Sequence, residues 1–121
     1  MKIDHLVILA SDLSKSVPWY DALFAAIGFE KIRDHVYTDR AGVAVDLRQA
    51  GEPERGYRRF APGLNHFGVA AASRAEVDRV ADAMRAAGFD VSDTQEIGTH
   101  HCLFMKDRDG MRVEIAFAPE A

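Results

Sequence analysis

Four side chains in this chain have the types and placement to do chemistry together. His5 and His66 each stand near the start of an apolar run, and Asp46 and Glu114 each stand inside a later one. Two imidazoles with one or two carboxylates have the donor composition of a divalent transition-metal site with open coordination positions. Mixed nitrogen and oxygen donors suit iron, manganese, nickel, cobalt and zinc alike. Either histidine alone reads as a strand residue satisfied by a backbone group. Their recurrence at equivalent points of a repeat favours the metal reading. The four residues are spread along the chain, so only the fold can gather them.

The repeat is visible in three blocks that recur in the same order. Ile3-Asp4-His5-Leu6-Val7 matches Leu64-Asn65-His66-Phe67-Gly68: an apolar residue, a small polar one, a histidine, then an apolar stretch. Gly28-Phe29 matches Gly88-Phe89. The run Asp39-Arg40-Ala41-Gly42 to Leu47 matches Asp107-Arg108-Asp109-Gly110 to Ile115. The chain therefore reads as one domain of two modules, residues 1–50 and 62–121, joined by residues 51–61. The join is rich in Gly, Pro and charge and reads as an ordered crossover, with Tyr57 and Phe60 available to pack.

Each module is expected to run strand, helix, then three strands. Ile3 to Ala10 has strand length and apolar character. Ser73-Arg74-Ala75-Glu76 is a capping box that starts the second helix. Val77, Val80, Ala81 and Met84 give that helix its apolar stripe, and Gly88 its stop. The first helix carries Val17, Tyr20, Phe24 and Ile27. Pro18 is best tolerated near a helix start, which places that start near Ser14 to Ser16. The later strands are expected at residues 31–32, 36–38 and 43–48, and at 90–92, 103–106 and 111–117. The two Asp-Arg-x-Gly segments are the hairpin turns.

Strand alternation then sorts the faces. Val43, Val45 and Leu47 share one face of their strand, and Val113, Ile115 and Phe117 share one face of theirs. The helices must cover those faces. Asp46, Arg48 and Glu114 fall on the opposite face, where charge is costly to bury unless paired, hydrated or bound to metal. One helix-packed face and one carboxylate-bearing face imply a lined cavity.

Composition narrows the partners. The 121 residues are 48% apolar and 28% charged, the balance of a globular domain. With 15 basic and 19 acidic residues, the net charge of −4 argues against nucleic acid and against an anionic membrane surface. No apolar run reaches membrane-spanning length, and Met1-Lys2-Ile3-Asp4-His5 does not open a signal peptide. A single cysteine, Cys102, excludes an internal disulfide framework. The cytoplasm is the default compartment and a small molecule the natural partner.

Paired βαβββ modules of this kind resemble the vicinal oxygen chelate superfamily. Its members include glyoxalase I, extradiol dioxygenases, methylmalonyl-CoA epimerase and the fosfomycin and bleomycin resistance proteins. The resemblance is carried by Ile3-Asp4-His5, by Asp12 to Tyr20, by Gly28-Phe29, by Asn65-His66-Phe67-Gly68-Val69 and by Lys106 to Ile115. It covers nearly the whole chain except the join. It implies an α+β fold in which two βαβββ modules form an incomplete barrel around a cavity, and a homodimer. It also implies a metal held by His5, His66 and Glu114. Asp46 falls where glyoxalase-like members carry a further ligand, usually glutamate. As the shorter aspartate it could reach the metal, bind through water, or face the cavity as a general acid or base.

The reaction implied is Lewis-acid chemistry on a substrate that chelates the metal through two neighbouring oxygens, by lyase, isomerase or dioxygenase steps. The alternative is a metal-free, drug-sequestering protein of the bleomycin-resistance type, whose cationic ligand would suit the acidic balance. His100 and His101 adjoin on one strand, so only one faces the cavity; His101 is the acid–base candidate, against a plain strand-end position. Arg48 either binds a substrate anion or pairs internally with Asp46 or Glu114. Arg58 and Arg59 read as a solvated cluster, Trp19 and Tyr20 as helix packing, and Cys102 as a buried thiol.

Overall fold

The hydrophobic periodicity resolves into eight strands and two helices in the computed structural model, which describes residues 1–119. The chain divides within the join into two compact units, Met1–Gly56 and the part from Tyr57 onwards. The first unit holds β1 (His5–Ala10), α1 (Leu13–Ala26), β2 (Glu30–Arg33), β3 (Val36–Thr38) and β4 (Ala44–Gln49), followed by a 3-10 turn at Pro53–Arg55. The second holds β5 (His66–Ala70), α2 (Arg74–Ala86), β6 (Gln95–Ile97), β7 (His100–Lys106) and β8 (Arg112–Phe117). Each unit has the expected strand, helix, three-strand order.

The two sheets share one topology. Their strand orders are β1-β4-β3-β2 and β5-β8-β7-β6. The first strand of each unit runs parallel to the last, and the remaining pairs are antiparallel. Both sheets are open, so the described residues form an α+β fold of two mixed four-stranded sheets with no closed barrel. Among the described residues no helix is long and apolar enough to cross a membrane.

Each helix covers the face that alternation assigns to it. In the second unit, Val77, Val80, Ala81 and Met84 of α2 are buried, as are Leu103, Met105, Val113 and Ile115 on β7 and β8, the strands that α2 packs on. Full burial of the Val, Leu, Ile and Met side chains among these contributes about 1.5–3 kcal/mol each. In the first unit the core is aromatic. Phe24 of α1 stacks on Tyr37 of β3 with ring centroids 4.4 Å apart, and meets Phe29 at a tilt with centroids 5.1 Å apart. Trp19 and Tyr20 are buried in helix packing, as the sequence suggests.

Four local features differ from the sequence expectation. Helix α1 starts at Leu13, because the Asp12 carboxylate accepts from the Ser14 backbone N–H and hydroxyl and caps the helix there. Pro18 thus lies a turn inside the helix, where its missing N–H leaves the Ser14 carbonyl without its usual donor. In α2, Ser73 accepts from the Glu76 N–H, but Glu76 reaches back to the N–H of Ala72. The strand expected at 90–92 forms instead at Gln95–Ile97, where it pairs with the start of β7. Phe60 of the join is exposed, with the Arg59 guanidinium over its ring.

The hairpin turns confirm the repeat in detail. Asp39 accepts from the N–H groups of Ala41 and Val43. Asp107 accepts from those of Asp109 and Met111. Gly110 takes φ +87°, which a side chain would strain. Asp107 is buried. Its replacement by Ala is expected to cost about 1–2 kcal/mol, by leaving two turn N–H groups without their acceptor. A urea titration measures this; an unchanged midpoint would show that the turn does not depend on the carboxylate.

Candidate functional site

The open face of the second sheet collects the side chains with chemical potential. Parallel pairing sets His66 opposite Arg112 and Gly68 opposite Glu114. Antiparallel pairing sets Phe104 opposite Glu114 and Lys106 opposite Arg112. Directly paired residues share a face, so all of these line the side away from α2. The first sheet repeats the arrangement. His5 lies opposite Ala44, and Asp46 lies opposite Val7. In both units the carboxylate stands two residues beyond the histidine's register partner.

Both imidazoles are oriented by the residue before them. His5 Nδ1 is 2.8 Å from Asp4 Oδ2. A carboxylate only accepts, so Nδ1 carries a proton, and in the neutral ring Nε2 keeps its lone pair. His66 Nδ1 is 2.7 Å from Asn65 Oδ1. The Asn65 amide is fixed by its own Nδ2, which donates to the Arg59 carbonyl at 2.8 Å, so its oxygen is the acceptor for His66. The Tyr57 hydroxyl lies 2.7 Å from the Leu64 carbonyl and 2.8 Å from that of Asn65. It holds the entry to β5 in place. Such outer partners fix the tautomer of metal-binding histidines.

His66 Nε2 lies 3.7 Å from Glu114 Oε2. That is too long for a hydrogen bond. It is the separation of two donors on one cation: with about 2.1 Å to each, the angle at the cation would be about 120°. The pair fits a divalent metal. Among the described residues no three His, Cys, Asp or Glu side chains are grouped to hold one. Further donors to a cation at this pair are substrate, water or groups beyond it.

Cys102 belongs to this face as well, since it pairs with Ala116, two residues beyond Glu114. Burial pushes its thiol pKa up, and the charge of Glu114, which also accepts the thiol's hydrogen bond, adds to the rise. The thiol therefore stays protonated beside the Glu114 carboxylate. The sequence reads Cys102 as a buried thiol and misses this partnership. The orienting role of Asp4 and Asn65 is also missed, although the small polar residue before each histidine is a visible part of the repeat.

Asp46 and Arg48 form a pair on the open face of the first sheet. The Arg48 Nε and Nη2 lie 2.9 and 2.8 Å from Asp46 Oδ2. Of the two readings of Arg48, internal pairing is what the structure contains. Asp46 Oδ1 has no partner among the described residues and stays open as an acceptor.

His101 differs from the sequence expectation. It pairs with Phe117 and shares the face of Leu103 and Met105, the side covered by α2. Its Nε2 is 2.8 Å from Asp78 of α2, and its Nδ1 meets Glu96 of β6, which also binds Arg74. The hydrogen bond to Asp78, then that to Glu96, raises its pKa. His101 is a tie between helix and sheet on the face opposite Glu114, and the open side of β7 belongs to His100, Cys102 and Phe104.

Comparison with known proteins matches this chain to one family. The sequence profile of the Glyoxalase/Bleomycin resistance protein/Dioxygenase superfamily matches residues 2–115. A glyoxylase/bleomycin resistance protein/dioxygenase domain from Frankia sp. EAN1pec superposes with a TM-score of 0.80 at 21% identity, covering 100% of this chain and 94% of that one. A glyoxalase/bleomycin resistance protein from Albidiferax ferrireducens T118 gives 0.71 at 18% identity, covering 97% and 98%. Lactoylglutathione lyase from Agrobacterium tumefaciens gives 0.66 at 20% identity, covering 97% and 93%. At these identities the likeness is one of fold. No curated protein matches the sequence.

Proposed function

This chain belongs to the Glyoxalase/Bleomycin resistance protein/Dioxygenase superfamily, and from that premise we propose that it is a small metal-dependent enzyme acting on a compound with two neighbouring oxygens. Members of the superfamily bind small-molecule substrates, are usually metal-dependent and often form dimers. The observation that carries the reading is the His66–Glu114 pair, with Nε2 free and 3.7 Å from a carboxylate oxygen. His66, Glu114 and His5, whose Nε2 is freed in the same way, are the proposed ligands. The chain is proposed to act as a homodimer in the cytoplasm.

A bound divalent cation supplies Lewis-acid polarisation of two adjacent substrate oxygens. The protein's own residues do the rest. Asn65 holds the His66 ring with its lone pair forward. The protonated Cys102 thiol lies beside the Glu114 carboxylate. Asp46 is the proposed proton acceptor through its unpartnered Oδ1, with Arg48 fixing the other oxygen. Lyase, isomerase and dioxygenase chemistry are each compatible with such a donor set, and the identity of the metal would separate them.

Elemental analysis of tag-free protein purified without chelator is the test. About one equivalent of a transition metal per chain is expected, as in single-cation sites of this donor type. Iron would direct assays to dioxygen chemistry, and nickel or zinc to isomerase or lyase chemistry. No uptake of iron, manganese, nickel, cobalt or zinc on addition would overturn the reading in favour of a metal-free binding protein.

A further inference from the structure

A second feature of the open face lies one row from Glu114. Lys106 and Arg112 are direct cross-strand partners on β7 and β8. Two cations directly opposite each other destabilise a sheet. This chain has 19 acidic residues with which to neutralise them. Yet no carboxylate among the described residues pairs with either, whereas Arg40, Arg48, Arg74 and Arg85 all hold one. The Arg112 guanidinium lies instead over the Phe104 ring, 5.6 Å from its centroid, which fixes its direction without using its hydrogen-bond donors.

The two cations open into a pocket of about 570 Å³ contained within the second unit. That is the size of a small-ligand site. Phe104 and Ile97 give it apolar surface, and Gln95 and Ser92 give it hydrogen-bonding groups. Asp90 also lines it and makes no ion pair with Lys106 or Arg112, so the three charges are not spent on one another.

We propose that this pocket binds a small organic anion, a carboxylate or a phosphate monoester. Lys106 and Arg112 hold the anionic head, and Phe104 with Ile97 carries a flat or apolar body. Arg112 offers the planar fork that matches either head, and Lys106 adds a point charge. Asp90 disfavours a second negative charge at the part of the wall it occupies. This names a substrate class for the face described above and rests on that reading only for its link to catalysis, because the anion is held without a metal.

The test is binding of benzoate, phenyl phosphate and inorganic phosphate by calorimetry, on full-length protein in excess chelator. Benzoate or phenyl phosphate is expected to bind, and preference between them identifies the head group. Tighter binding of phenyl phosphate than of inorganic phosphate would show that the apolar surface contributes. The K106Q/R112Q variant should lose about tenfold or more in affinity, with a melting temperature no lower than that of the parent. Arg79→Gln, an exposed charge on α2, should leave affinity unchanged. Glu114→Ala should keep or strengthen anion binding while losing metal, so the two readings fail separately. No binding of any of the three anions would overturn the proposal. So would equal losses in K106Q/R112Q and Arg79→Gln.

Discussion

Replacing Glu114 by Ala is expected to lower transition-metal affinity by at least about 100-fold, beyond the 10–100-fold that loss of an orienting partner typically costs. Among the described residues Glu114 is the one anionic donor beside His66 Nε2, so its loss leaves an imidazole to hold the cation alone at that point. The variants at its neighbours grade the argument. His66→Ala should match Glu114→Ala. Asn65→Ala should cost about 10–100-fold, because the ring keeps its position in β5 but loses the bond that presents its lone pair. Asp46→Ala should retain metal, since Asp46 is proposed as the proton acceptor and not as a ligand, with Arg48 holding its Oδ2. His5→Ala decides whether the third proposed donor is used. Competition with a chromophoric chelator measures each value, and circular dichroism checks that the fold persists. Glu114 faces the open side of the sheet, so its removal opens no core cavity. Equal metal affinity in the parent and in Glu114→Ala would remove the proposed site.

The module plan was legible because each level of the sequence agrees with it. The Asp-Arg-x-Gly turns, the valine alternation after them and the Ser73 cap all mark boundaries that the structure keeps. Strand β6 was not legible, since Asp90-Val91-Ser92 alternates as well as Gln95-Glu96-Ile97 does. The choice between them is made by partners distant in sequence, with Glu96 reaching His101 and Arg74. The candidate site was legible as a set of residue types and a face. Its supporting contacts were not. The thiol of Cys102 reaches Glu114 only because β7 and β8 pair in the register that sets Cys102 against Ala116, and nothing in the local sequence states that register. The same uncertainty decides between His100 and His101, where a shift by one residue exchanges the faces.

Replacing His101 by Gln is expected to lower the unfolding free energy by about 1–2 kcal/mol near pH 6, and by much less near pH 9. The imidazolium donates to Asp78 through Nε2 and to Glu96 through Nδ1, so one protonated ring joins α2 to β6. The two carboxylates are about half exposed, with side-chain accessibilities of 57% and 50%, and solvent screening keeps the figure at the lower end for charged hydrogen bonds. The sign follows from linkage. Asp78 and then Glu96 raise the pKa of His101 in the folded protein above its unfolded value of about 6.5. The stabilisation is therefore complete below about pH 6.5 and is lost as the pH rises through the higher folded value. On the acid side, Glu96 is held below the usual carboxylate range chiefly by Arg74 and then by His101, so its half of the bridge persists to lower pH. Urea unfolding of the parent and variant from pH 5.5 to 9 gives the difference directly, with Asp78→Ala as a second break in the same bridge. A difference independent of pH would show that His101 acts by packing alone. The tie also bears on the pocket, because β6 carries Gln95 and Ile97 on its other face. A loosened β6 should weaken anion binding in His101→Gln near pH 6 more than near pH 9, which links the helix-side bridge to the ligand-side wall through a single three-residue strand.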